Sequence, residues 1–167
     1  MNYERNWRDS RNTVGFAAEC ARMALPFYIG DRRSDLITAI EIAERCANGE
    51  QIDSAAAYFA RGAANDAAHA TAYASEGPPH PADPAAYAAS AACYATTTTD
   101  ADVARDAADT VHWASKAGVD DSEIQVAYAR WVIRDLSCGR DFDEELRQAA
   151  GAAVVAGDEA LAQELLG

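Results

Sequence analysis

Roughly one residue in four of this chain is alanine, and no other feature limits its fold as tightly. Alanine is the best helix former and loses no side-chain entropy on ordering. Its methyl contributes little burial, so helices built on it must pack closely around a few large side chains. The expected anchors are Phe16, Leu25, Phe27, Leu36, Ile40, Phe59, Trp113, Ile124, Tyr128, Trp131 and Leu136. Alanine and the helical period both disfavour β structure. The expected fold is all-α: a compact bundle of six to eight mostly antiparallel helices within 167 residues, a length that forms a core without disulfides or metals.

Residues 1–12 read as a polar arm, with Trp7 available to dock, ahead of a single Ala-rich helical domain over 13–167. Helices are expected at 13–27, 34–47, 53–75, 84–94, 100–116, 121–136 and from 143, with Gly157 and Asp158 interrupting the last before a short helix to 165. The third helix carries Ile52, Ala56, Phe59, Ala63 and Ala70 on one stripe and Ala57, Ala64 and Ala68 opposite. A helix apolar all round is normally central. The proline-rich stretch 77–84 is the clearest break, and Asp83 before Pro84 makes a good N-cap and first-turn pair. Thr96 to Thr99 disfavour helix through β-branching; whether helices four and five are continuous stays open. The isolated Gly62 and Gly151 are expected to serve close helix packing.

The formal charge is −13, from 27 acidic and 14 basic residues. Such a balance repels phosphate, which argues against nucleic acid as a direct partner and for a basic protein; solubility explains the acids equally well. No apolar run reaches a membrane span, and the polar start lacks a signal-peptide core. Cys20, Cys46, Cys93 and Cys138 form no CxxC pair and read as free, buried thiols of a reducing compartment, so the expected location is cytoplasmic. Homo-oligomerisation is left open.

No motif names a reaction: there is no GxSxG elbow, P-loop or GxGxxG, and no cofactor or metal is expected. Asp66, His69 and Tyr73 share one arc of the third helix, with Asp66 expected to be partly buried near the Phe59 stripe. They read either as a small polar pocket, with Trp113 or Trp131 contributing, or as an interhelical hydrogen-bond network. Asp109 and His112 repeat the Asp-x-x-His spacing, with Asp106 one turn earlier. His112 falls on a solvated face beside Arg105 and Lys116, and the Glu-x-x-His pattern of di-iron bundles is absent. Tyr87 and Tyr94 share a face of helix four and read as packing residues. Arg130 and Arg134 read as an anion anchor or as partners of Asp135 and nearby carboxylates.

The segments Phe16 to Pro26 and Asp35 to Ile52, the run Ala57 to Ala64, and Asp109 to Ala117 resemble successive helices of the Imm5-like family of immunity proteins from polymorphic toxin systems. That family's middle helices often carry further histidines; the corresponding stretch here, Tyr87 to Tyr94, has none. The resemblance implies a protein that neutralises a cognate toxin by binding it, and an acidic inhibitor suits a cationic toxin. Asp100, Asp102, Asp106, Asp120, Asp121 and Glu123 are the exposed acids expected to form its patch. The alternative is a small-molecule-binding protein or enzyme using a polar pocket between the central helices.

Overall fold

Aspartates start the helices of this chain. In the computed structural model, which describes residues 1–73 and 81–167 except for the side chains of Thr71 and Tyr73, six helices begin on an Asp carboxylate that accepts a first-turn backbone N–H. The pairs are Asp9 with Arg11, Asp53 with Ala55, Asp83 with Ala85, Asp120 with Ser122, Asp143 with Leu146 and Asp158 with Leu161. Each bond satisfies an otherwise orphaned donor and sets negative charge against the positive end of the helix dipole. Part of the acidic surplus is therefore structural.

The described residues form eight α-helices and no strand: α1 (Ser10–Ala24), α2 (Arg33–Ala47), α3 (Ser54–Tyr73), α4 (Pro84–Tyr94), α5 (Asp100–Ala117), α6 (Asp121–Leu136), α7 (Glu144–Val155) and α8 (Glu159–Leu166). A 3-10 turn, Leu25–Phe27, follows α1 where Pro26 removes a donor. The Asp83–Pro84 start of α4 is as read from the sequence. Residues 74–80, including the first half of the proline-rich break, lie outside the described residues. The threonines do separate α4 from α5: Thr96, Thr97 and Thr98 each return their hydroxyl to a carbonyl three residues back, the local competition that disfavours helix continuation. Gly118, at φ 117°, supplies the left-handed residue that ends α5.

Together the helices make a compact bundle, but its centre differs from expectation. α1 packs on α2, α4, α5 and α6, and α4 packs on α1, α2, α3 and α5. Ala17, Ala18, Ala21 and Ala24 of α1, and Ala85, Ala86, Ala88, Ala89 and Ala92 of α4, are all but inaccessible. α3 packs mainly on α2 and α4 through Ala57, Ala60, Ala64, Ala67 and Ala68. Its other stripe faces out. Phe59, expected in the core, is 73% exposed, and Asp66 beside it is exposed too. The small alanines are what let α4 approach; a phenylalanine at that interface would hold the helices apart. Phe27, another expected anchor, is 46% exposed. Gly62 is not there for packing, since a Cβ built on it meets no atom within 4 Å.

The N-terminal arm is docked, with Trp7 among the side chains that seat it. Tyr3 and Trp7 pack against Phe16 and Tyr128 with ring centroids 5.1–6.1 Å apart. Beneath them lies Asp135 of α6, which is 1% exposed. Its carboxylate accepts from Arg5 Nη1 (2.7 Å), the Arg8 and Asp9 backbone N–H groups (2.9 and 3.0 Å) and Asn12 Nδ2 (3.0 Å). Glu159 of α8 holds the other edge of Arg5. No described helix is long and apolar enough to cross a membrane.

Candidate functional site

Since α3 turns its alanines inward, its larger residues fall on the outer arc, next to the outer faces of α4 and α5. There they line an open groove of about 740 Å³. Tyr58, Phe59, Arg61, Gly62 and Asp66 come from α3, Tyr87, Ser90 and Tyr94 from α4, and Asp106, Asp109 and Trp113 from α5. The Arg61 guanidinium lies 4.4 Å over the Tyr94 ring and 5.1 Å over Tyr58, close enough for cation–π attraction. Ser90 Oγ donates to the Arg61 carbonyl at 3.2 Å. At the other end Tyr87 packs on Trp113 with centroids 4.7 Å apart, and its hydroxyl sits 3.1 Å from His69 Nε2.

Three large aromatics remain substantially in solvent: Tyr58 at 62%, Phe59 at 73% and Tyr94 at 41%. Between them and Trp113, Asp66 and Asp109 are exposed carboxylates with no hydrogen bond or ion pair among the described residues. Asp106 differs. It is buried, accepts the Thr98 hydroxyl at 2.8 Å, and burial pushes its carboxyl above the usual range despite that bond.

Of the residues expected to form a pocket, Asp66 and Trp113 line this groove and His69 joins it through Tyr87. The Tyr73 side chain lies outside the described residues. Trp131 is elsewhere: it rests on Gly15 of α1, with its indole N–H donating to Glu19 Oε2 at 2.7 Å. Arg130 pairs with the same Glu19, not with Asp135.

The expected acidic patch is not one surface. Asp106 is buried within the bundle. Asp100 and Asp102 open α5, whereas Asp120, Asp121 and Glu123 follow its other end. Fifteen helical residues, Val103 to Ala117, lie between the two groups and set them about 23 Å apart. Asp102 pairs with Arg105, and Asp120 caps α6.

Sequence reasoning missed Tyr58, Phe59, Arg61 and Tyr94 as groove residues. The available signal was the shared face of Tyr87 and Tyr94, two turns apart on a helix otherwise made of small residues. Two of the thiols are buried as expected, and burial pushes Cys93 up to about 11 and Cys20 higher still, away from the thiolate form that reacts, whereas Cys138, expected to be buried, is exposed. Among the described residues no cluster of three His, Cys, Asp or Glu side chains is placed to hold a metal. No protein-family model, no curated protein and no solved structure matches the chain.

Proposed function

We propose that this chain is a protein-binding module, that the α3–α5 groove is its docking face, and that its partner presents a basic side chain to Asp66 and Asp109. The observation that carries this reading is the company those two carboxylates keep. They are exposed and unpaired, and Tyr58, Phe59, Tyr94 and Trp113 stand around them. Aromatic anchors concentrate binding energy at protein interfaces. Carboxylates beside aromatic faces suit an arginine or lysine, by ion pairing and cation–π attraction together. Gly62 adds support, because a helix-interior glycine that no neighbour requires leaves the groove floor open. The net charge of −13 favours encounter with a cationic surface.

This reading agrees in kind with the immunity-protein resemblance: a cationic toxin would be neutralised by occupation of its own basic surface. The small-ligand alternative retains one supporting feature, the Tyr87–His69 contact beside Trp113.

The test is the dissociation constant for a basic protein captured with this chain from its native host. It should be measured with wild type and with Asp66→Asn/Asp109→Asn over a range of salt. Binding weakened at least about tenfold by the double variant, with a shallower salt dependence, is expected. Equal affinity of variant and wild type rejects the assignment of this face.

A further inference from the structure

On the opposite side of the charge balance lies a second groove, between α6 and α7. We propose that it binds an amphipathic anion with one alkyl chain, such as a medium- to long-chain carboxylate. The inference is independent of the docking face above and goes beyond it.

The two helices are joined by a short connection and run antiparallel. The groove between them has a volume of about 990 Å³, at the upper end of the range for small-ligand sites. Its two ends differ. Where α6 begins and α7 ends, the walls are Val126, Ala129, Ala152 and Val155, with Val126 at 61% and Val155 at 41% exposure. Ile133 and Gly151 form the middle, in ordinary contact: a Cβ on Gly151 would sit 3.5 Å from Ile133 Cδ1. At the end where α6 stops and α7 starts the lining holds Arg134, Arg140 and Arg147, with Arg140 over the Phe142 ring and Arg147 donating to the Phe142 carbonyl. Arg130 also lines the groove but is held by Glu19.

Four of the chain's 14 basic residues therefore line one groove that contains a single carboxylate, Asp141. Arg147 pairs with Glu144 at 3.5 Å. Arg134 lies over Trp131, and Arg140 reaches only carbonyl oxygens of Ser137, Leu166 and Gly167. Neither forms an ion pair with a side-chain carboxylate among the described residues, although Asp9 lies near enough to Arg134 to feel its charge and the last residue, Gly167, accepts from Arg140 through its backbone oxygen. An exposed apolar trough with guanidiniums at one end, two of them without a side-chain carboxylate in an ion pair, matches a ligand with an anionic head and an apolar tail. A second copy of this chain fits less well, since about a two-fold axis the arginines of one copy would face the apolar walls of the other. An acidic amphipathic helix fits less well, since its charges would run along the whole trough while the cations sit at one end.

The probe is sodium dodecanoate, titrated below its micelle concentration into the full chain and followed by calorimetry. Saturable one-to-one binding is expected. Arg134→Gln/Arg140→Gln should weaken it about a hundredfold, roughly tenfold for each charge-assisted contact. Ala152→Phe, at an exposed position, should block it with the helical circular dichroism unchanged. Dodecyltrimethylammonium, with the same tail and opposite head charge, should bind at least about tenfold more weakly. No saturation up to about 1 mM, equal binding of the two amphiphiles, or binding indifferent to both variants overturns the proposal. So does displacement of dodecanoate by a Glu- and Leu-rich helical peptide at lower concentration, which reassigns the groove to a protein.

Discussion

Asp135→Ala is the substitution expected to damage this fold most. The carboxylate is buried on α6 and accepts four hydrogen bonds from the arm and the start of α1. Removing it leaves the Arg5 guanidinium, whose side chain is only 8% exposed, with Glu159 alone. It also leaves two backbone N–H groups and the Asn12 amide without acceptors. A net hydrogen bond to a charged group contributes about 1.5–3 kcal/mol, and such bonds do not add independently. Breaking one side of a buried ion pair costs about 3–5 kcal/mol, and that range is adopted for the whole cluster. At roughly 2–4 °C per kcal/mol for a chain of this size, Tm should fall by about 6–20 °C.

Urea and thermal unfolding, followed by far-ultraviolet circular dichroism and by Trp7 fluorescence, measure this directly. Arg5→Met should cost less, because Asp135 keeps its other three donors. The pH dependence is a further check. Burial works to raise the Asp135 pKa, but the bonds from Arg8 N–H, Asn12, Arg5 and Asp9 N–H outweigh it and hold it below the ordinary carboxylate range. A depressed pKa means stability that is complete above about pH 4 and lost as pH falls through the folded-state value. Asp135→Asn should flatten that acid limb. A cost below about 1 kcal/mol for Asp135→Ala, with arm fluorescence unchanged, would refute the view that this carboxylate fastens the arm.

Three further outcomes are expected. Asp106 has the opposite sign: its raised pKa means the folded state holds a proton that the unfolded state has released, so stability falls as pH rises from about 4 through the raised value. Asp106→Asn can still accept the Thr98 hydroxyl and should remove that decline, read from urea midpoints between pH 4 and 7. Gly62→Ala should raise stability by about 0.5–1 kcal/mol, because the helix gains propensity and the methyl meets open space; a thermal scan showing a loss contradicts the open floor. Gly15→Ala should destabilise by about 1–3 kcal/mol and alter Trp131 fluorescence, since the new Cβ would fall 2.2–2.6 Å from that indole ring.

The helices were legible in the sequence wherever local chemistry decides them. Asp83 and Pro84 start α4, Gly118 stops α5, and residues 121–136 form α6 as read. What local pattern could not decide was which side of α3 faces inward. Its two stripes are almost equally apolar, and the choice between Phe59 and the alanines depends on how near α4 comes, a property of both helices. The docking of the arm was expected only through Trp7, and its polar anchor was not legible for a related reason. Arg5 and Asp135 are 130 residues apart, and no spacing rule connects them. The groove was half legible: Asp66, His69 and Trp113 were singled out, but Phe59, Tyr87 and Tyr94 read as packing residues and Tyr58 carried no signal of its own.

The docking face itself is tested most directly by footprinting. Hydroxyl-radical labelling of the aromatic side chains should be compared with and without the basic partner bound. Protection of Tyr58, Phe59 and Tyr94, with Phe142 on the α6–α7 side still labelled, is the expected result. Protection at Phe142 with Tyr58, Phe59 and Tyr94 as reactive as in the free protein would contradict it.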